Sequence, residues 1–145
     1  MCLAVYISTD KELKLEKFVA GQTDIYFEKP SDEEENALRP KFSKKYIYYV
    51  GSTSGCSCDF GFDSEDFYDK ELVSEEDKKS PQKLIDFLTE MTLSENIEFY
   101  CCWEGDWNLP TESKIEIDIR NISLDKNYFG PQEKQFINFR QQTTE

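Results

Sequence analysis

The segment Lys45–Phe62 (KYIYYVGSTSGCSCDFGF) constrains the fold more strongly than any other part of the chain. Its first part, Tyr46–Val50, contains only aromatic and β-branched residues, which fit a pleated surface, and five in a row indicate a strand that is covered on both faces. Gly51–Gly55 follows as Gly-Ser-Thr-Ser-Gly, in which small residues and two glycines let the backbone turn sharply. The segment therefore predicts a buried strand that runs directly into a tight loop.

Five other segments are predicted as strands by composition or by alternation of apolar and polar residues. In the clearest of them, Asn96–Trp103, alternation puts the adjacent cysteines Cys101 and Cys102 on opposite sides. Lys114–Ile122 alternates as a half-exposed strand near an edge, and its isoleucines, among them Ile115, are expected to face inward. The remaining three segments are Cys2–Ser8, Asp24–Glu28 and Gln135–Arg140.

Capping residues and apolar spacing predict two helices. Ser31 precedes a run of acids that suits the positive end of a helix dipole, and this short helix must end before Pro40. Ser80 and Pro81 mark the start of the main helix as N-cap and first helical residue. Its apolar stripe, which packs on the sheet, is Leu84, Ile85, Leu88 and Met91. We expect a single α+β domain over residues 1–145, with a mixed sheet of about five strands and one main packing helix over residues 80–92.

The net charge of −13 and the absence of histidine limit what the protein can bind or catalyse. Phosphate contacts need lysine and arginine, so nucleic acid and anionic membrane surfaces are disfavoured as partners. Without histidine, neither a Ser-His-Asp triad nor a Cys-His pair can form, and a metal site must use cysteine and carboxylate ligands. A basic protein partner is compatible with the charge.

The densest charge lies in Asp59–Asp77, which holds nine acids against the single base Lys70. The order of these acids is not that of a calcium-binding loop. A surface that attracts a basic partner is the functional interpretation of this segment, and a solvated acidic loop is the structural one. The candidate partner-binding residues are Asp63, Glu65, Asp66 and Asp69.

The N-terminal residues and the cysteine count predict the compartment. The N-terminus lacks the basic region and the long apolar run of a signal peptide, and no segment approaches the ~20 apolar residues of a membrane span. Five cysteines, an odd number, without an export signal indicate reduced thiols. We therefore expect a cytoplasmic location.

The cysteines are the candidate ligands or reactive groups of a site. Cys56 and Cys58, two residues apart, project to one side of an extended backbone. Together with Cys102 and Cys2 they would form a four-thiolate zinc site, with bonds of ~2.3 Å, if the strands beside them are neighbours that meet at one end. Two alternatives stay open. One is a redox or thiol-transfer site, which acidic neighbours disfavour because negative charge opposes the thiolate, and the other is small side chains that fill a crowded turn.

Three pieces of the chain together resemble a family of small uncharacterised bacterial proteins with no assigned activity. These pieces are the N-terminal Met-Cys before an apolar strand, the Gly-Ser…Gly-Cys-x-Cys-x-Phe loop, and the Cys-Trp-x-Gly-Asp run. The chain departs from this pattern at Ser57 and Asp59, where glycine is more usual, so the resemblance leaves the loop geometry open. The positions that match are Cys2, Cys56, Cys58, Cys102, Trp103, Gly105 and Asp106.

The sequence supports three functional hypotheses. The favoured one is a non-catalytic binding domain with a cysteine-based zinc or thiol site, and the alternative is an acidic interaction or immunity-type protein that docks a basic partner. The third is an enzyme that uses Glu104 or Asp106, which lie just past a strand end. The Met-Cys start also superficially resembles one class of glutamine amidotransferases, whose nucleophile is an N-terminal cysteine, but no second motif supports that likeness.

Overall fold

Within residues 3–15, 17–61 and 74–141, which the computed structural model describes, the chain forms a six-stranded mixed sheet with one α-helix on each face. The predicted α+β domain is confirmed. The sheet has one strand more than the expected five, because all six segments with strand character pair. The strands are β1 (Leu3–Thr9), β2 (Ile25–Glu28), β3 (Tyr46–Ser52), β4 (Ile97–Trp103), β5 (Ser113–Asp118) and β6 (Gln135–Arg140), and the helices are α1 (Asp32–Leu38) and α2 (Glu75–Met91).

The strand order is β2-β3-β1-β4-β6-β5, and every neighbouring pair is antiparallel except β5 and β6, which are parallel. The register pairs Val5 with Val50 and Leu3 with Trp103. The start of β1 therefore lies between the ends of β3 and β4. The loop after β3 and the turn after β4 leave the sheet from this same end, which we call the loop end.

The main helix begins earlier than the sequence predicts. α2 starts at Glu75, and Ser74 caps it through a reciprocal capping box with Asp77, so the predicted start at Ser80 was wrong. The capping box satisfies two backbone N–H donors, and the acids of the first turn interact favourably with the positive end of the helix dipole. Pro81 has no backbone N–H that a cap would have to satisfy. Ser80 instead ties the helix to the sheet, because its hydroxyl donates to the carbonyl of Asp24 (2.7 Å) and accepts from the backbone amide of Thr53 (3.1 Å).

One face of the sheet, which we call the α2 face, carries an apolar core. Val5, Phe99 and Phe139 pack there against Leu84 and Leu88 of α2, and all five are fully buried. The predicted helix stripe is confirmed, and so is the alternation of β4, whose Cys101 lies on this face while Cys102 lies on the other.

The other face, which we call the α1 face, is covered by α1 and by the segment after β4. Leu38 and Phe42 pack on Ala4, Tyr6 and the strands around them. As predicted, Ser31 caps α1, and the helix ends at Leu38, before Pro40. This cover is short because α1 has only 7 residues, so part of the face beside β2 and β3 stays open.

Strand β5 is an edge strand, as expected, but it is shorter than the predicted Lys114–Ile122. A 3-10 turn over Ile119–Asn121 ends it, and the side chain of Ile115 is 39% exposed rather than turned into the core. Only the far end of the isoleucine stripe is buried, at Ile119. No helix of the described residues has both the length and the apolar composition needed to cross a membrane.

Candidate functional site

The loop after β3 is held at the loop end by a buried serine. The Ser57 hydroxyl donates to the carbonyl of Val50 (2.5 Å) and accepts from the backbone amide of Val5 (3.0 Å). Val5 and Val50 are cross-strand partners, so the hydroxyl bridges β1 and β3 where the loop leaves the sheet. The residue between the two loop cysteines therefore anchors the loop, whereas the sequence drew attention to the cysteines on either side.

A second set of hydrogen bonds closes the same loop around Asp59. Its carboxylate accepts from the hydroxyls of Thr53 (2.6 Å) and Ser54, and its backbone amide donates to the Ser52 hydroxyl (3.1 Å). Burial raises the pKa of Asp59, but the bonds from Ser54 and Thr53 outweigh burial and hold this pKa below its ordinary value. Small hydroxyl residues thus build a rigid loop around one ionised carboxylate.

The strand order meets the condition on which the four-cysteine hypothesis depends, because β1 lies between β3 and β4 and their relevant ends meet. Cys56 is half-buried and Cys58 is exposed in the loop, while Cys102 is buried on the α1 face. Cys2 lies outside the described residues. In the part of the chain that the structure describes, no three Cys, Asp or Glu side chains are grouped so as to hold a metal ion. A site that includes Cys2 stays a prediction.

The two buried thiols are poor nucleophiles. Burial, and then the nearby charge of Asp106, raise the pKa of Cys102 to about 12, while Lys41 opposes the shift. Burial also raises the pKa of Cys101, and Cys102 beside it adds to that effect. Both side chains therefore keep their protons near neutral pH and fill space in the sheet.

Aromatic and charged side chains form one row across all six strands on the α1 face. Cross-strand pairing places Tyr6 between Tyr49 and Tyr100, and the rings of Tyr6 and Tyr49 meet edge to face at 5.7 Å. From β2 to β5 the complete row is Glu28, Tyr49, Tyr6, Tyr100, Phe136 and Lys114. This arrangement depends on the register of all six strands.

Tyr6 connects the sheet to both parts of its cover. Its buried hydroxyl donates to Glu34 Oε2 of α1 (2.6 Å) and accepts from Trp107 Nε1 (2.9 Å). Glu34 also accepts from the backbone amide of Ser31 (3.2 Å), so both of its oxygens are engaged. Burial, and then the carboxylate of Glu34, raise the pKa of Tyr6 well above its ordinary value. The network fixes α1 and the Trp107 segment on the sheet.

A pocket of about 220 Å³ lies beside this network, between β2, the start of α1, the cysteine loop and the turn after β4. Tyr26 forms part of its wall and lies flat over Gly51, because a Cβ at that glycine would stand 2.0 Å from Tyr26 Cζ. Only glycine permits this approach. The lining residues are Tyr26, Glu28, Lys29, Pro30, Glu34, Tyr49, Gly55 and Glu104.

The pocket is negatively charged and has open hydrogen-bond acceptors. Three carboxylates line it against the one ammonium group of Lys29, and Glu28, Glu34 and Glu104 form no ion pair with any described residue. Tyr26 is only 3% exposed, and its hydroxyl has no hydrogen-bond partner among the described residues. Because Tyr26 lines the pocket, a bound group can supply the missing partner.

Burial and neighbouring side chains change the pKa values of the two tyrosines of the pocket. Burial raises the pKa of Tyr26, and the neighbouring Tyr49, Glu28 and Cys56 raise it further. Burial also raises the pKa of Tyr49; the hydrogen bond with Ser57 opposes this shift, and Cys56 and Glu104 add to it. Both hydroxyls stay protonated near neutral pH.

The pocket contains only part of what the sequence singled out. Glu104 was a candidate and lines the pocket, but Cys56 is not among the lining residues and Cys102 lies beside the Tyr6 network instead. The predicted partner-binding acids Asp63, Glu65, Asp66 and Asp69 lie outside the described residues. Sequence reasoning missed four residues of the pocket wall because they come from three separate segments, β2, α1 and β3: Tyr26, Glu28, Glu34 and Tyr49. From the sequence, Glu34 was interpreted only as one of the acids at the start of α1. The structure confirms that role and also places Glu34 in the pocket wall.

The chain matches no family model, no curated protein and no solved structure. The likeness to small bacterial proteins noted from the sequence therefore stays a resemblance. The functional argument depends on the pocket and on the charge of the chain.

Proposed function

We propose that this protein is a non-catalytic binding domain that docks a basic partner protein, with the pocket at the loop end as its contact site. The observation that carries the proposal is the set of three carboxylates without an ion pair among the described residues, Glu28, Glu34 and Glu104, around a pocket that tyrosines also line. Opposite charge on a partner would steer the encounter and fix the orientation of the complex. The chain's net charge of −13 supports the same sign of partner.

The protonation states near the pocket favour binding over catalysis. Tyr6, Tyr26 and Cys102 all have raised pKa values and hold their protons near neutral pH. A general base or an activated nucleophile needs a pKa near or below the working pH. These groups instead supply neutral hydrogen-bonding and packing surface beside the carboxylates.

The test compares peptide binding by three forms of the protein. The probes are 12-residue peptides that carry four arginine or lysine residues among neutral ones, and affinity is measured by fluorescence anisotropy at two salt concentrations. The pocket variant is Glu28→Gln with Glu104→Gln. The control is Glu33→Gln with Glu90→Gln, which removes the same charge at exposed positions outside the pocket.

We expect the wild type and the control to bind alike, with affinity that falls as salt rises, because exposed charges are screened. The pocket variant is expected to bind roughly tenfold more weakly, since desolvated charge pairs at an interface contribute more than those at its rim. Equal binding by all three forms would show unspecific attraction by the net charge. Absence of binding by the wild type would refute the proposal.

A cysteine-based site is the second candidate. The strand order β3-β1-β4 favours it because that order brings Cys56, Cys58 and Cys102 to the loop end. Metal content and free thiols would be measured on protein purified under reducing conditions without a polyhistidine tag. About one zinc per chain, with some thiols unreactive until a chelator is added, would support a thiolate site. Absence of metal, together with unchanged melting of the Cys56→Ser and Cys58→Ser double variant, would exclude it.

A further inference from the structure

We infer that the pocket binds the guanidinium group of a single arginine side chain from the partner protein. This inference rests on the proposed function and specifies the group that enters the site. It is carried by three features of the pocket: its size, the unpartnered hydroxyl of Tyr26, and the Tyr49 ring beside the open carboxylates.

The size of the pocket suits one side chain. At about 220 Å³ it lies below the roughly 300–1,000 Å³ that is usual for small-molecule sites. A long side chain that enters from a partner surface needs less room than a whole ligand. Arginine is also among the residues most often found as anchors at the centre of protein interfaces.

The open acceptors suit a group with several donors. Glu34 already binds Tyr6 and Ser31 through its two oxygens, so Glu28, Glu104 and the Tyr26 hydroxyl are the acceptors that remain. A guanidinium group carries five N–H donors in one plane and can reach several separate acceptors at once. The ammonium group of lysine has three donors around one atom and is more strongly hydrated, so it would leave more of these acceptors unpaired.

The aromatic wall adds a preference for a flat cation. Tyr26 contributes its hydroxyl rather than its ring face, because the ring packs over Gly51 and against Phe18, with ring centroids 5.4 Å apart. The ring that lines the pocket beside the carboxylates is that of Tyr49. Tyr49 is held by the edge of Tyr6. Rings fixed in this way lose little entropy on binding, and arginine contacts aromatic rings more often than lysine does.

The experiment compares N-acetyl-arginine amide with N-acetyl-lysine amide, which have equal charge. Binding is followed through the tyrosine ring and Trp107 indole signals in NMR titrations. We expect the arginine probe to bind at least ~3-fold more tightly, in the millimolar range expected for one exposed ion pair with a cation–π contact. An arginine-containing peptide from the first test should likewise lose affinity when that arginine is replaced by lysine.

The key variant is Tyr26→Phe, which removes only the unpartnered hydroxyl. Its melting temperature should match that of the wild type, because the hydroxyl makes no hydrogen bond within the described residues. Its preference for arginine over lysine should fall, because one acceptor is lost. The control is Tyr46→Phe, which removes a hydroxyl that does not line the pocket and should leave the preference unchanged.

The outcomes separate the two proposals. Equal affinity for both probes, or an arginine preference that survives Tyr26→Phe, would overturn the arginine assignment while the docking of a basic partner could still hold. If the basic peptides also bind the pocket variant as well as the wild type, the docking proposal itself fails.

Discussion

The two faces of the sheet differ in composition, in cover and in what they leave exposed. The α2 face packs aliphatic and phenylalanine side chains under a helix of 17 residues, whereas the α1 face carries tyrosines and carboxylates under a helix of 7. Polar groups on the α1 face are joined by hydrogen bonds, such as those that Tyr6 makes with Glu34 and Trp107. The pocket lies on this second face because the short cover does not reach across β2 and β3.

The comparison indicates that one face contributes mainly stability and the other mainly the positioning of side chains. Burial of apolar area on the α2 face supplies most of the stability, because apolar burial is the dominant favourable contribution to folding. The α1 face contributes directional bonds that hold side chains in defined positions, which a binding site needs. Variants of the two faces should therefore affect stability and binding separately.

The largest effect on stability is expected from Leu88→Ala on the α2 face. Leu88 is fully buried, and its truncation leaves a cavity that should lower the free energy of unfolding by about 3 kcal/mol, measured by urea denaturation. Peptide binding should not change. The control Leu93→Ala, at a side chain that is 66% exposed, should change stability by less than about 0.5 kcal/mol. A large loss of binding in folded Leu88→Ala would contradict the separation of the faces.

Ser57→Ala is expected to have the next largest effect, at the loop end where the two faces meet. It leaves the amide of Val5 and the carbonyl of Val50 buried without their partner, and should lower the free energy of unfolding by about 2 kcal/mol. The exposed Ser94→Ala serves as the control and should have little effect. Wild-type stability in Ser57→Ala would mean that the hydroxyl does not anchor the loop.

Tyr6→Phe tests the hydrogen-bond network of the α1 face. Losing the bonds to Glu34 and Trp107 should lower the free energy of unfolding by about 1 kcal/mol and shift the fluorescence of the Trp107 indole. Binding should also weaken, because Glu34 lines the pocket and would lose one of its two restraints. Unchanged fluorescence and binding would show that α1 is positioned by packing alone.

The smallest effect is expected from Asp59→Asn, and it depends on pH. The folded-state pKa of Asp59 is lowered, so its carboxylate stabilises the fold above about pH 4, and this contribution is lost as pH falls through the lower folded-state pKa. The variant should lose about 1 kcal/mol near neutral pH. Below pH 4 the stabilities of variant and wild type should converge in acid-titrated denaturation curves; a constant difference across that range would exclude this role.

Much of the fold was predictable because it depends on local patterns. Alternation in Asn96–Trp103 correctly assigned Cys101 and Cys102 to opposite faces, and Ser31 with its acids correctly located α1. The predicted start of α2 at Ser80 was wrong because the Ser-Pro signal at Ser80 and Pro81 was preferred, whereas the helix begins after Ser74, which forms a capping box with Asp77. The deciding contact is local, and Ser80 owes its role to tertiary contacts with Asp24 and Thr53.

The candidate site was largely hidden from the sequence. The small-residue loop was found by composition, but its anchor is Ser57 rather than the cysteines that stand out chemically. Tyr26 looked like an ordinary strand residue until the register placed it over Gly51. A pocket wall made from separate segments has no spacing signature along the chain.

Neighbouring residues and composition were enough to predict the α+β class, the alternation of the strands, the capping of α1 and the negative charge. Tertiary structure alone decided which strand ends meet, that Tyr6 holds Glu34 and Trp107, and that carboxylates from three segments surround one pocket. These features depend on long-range pairing and on the strand register, and a shift of one residue would turn every side chain of a strand to the opposite face.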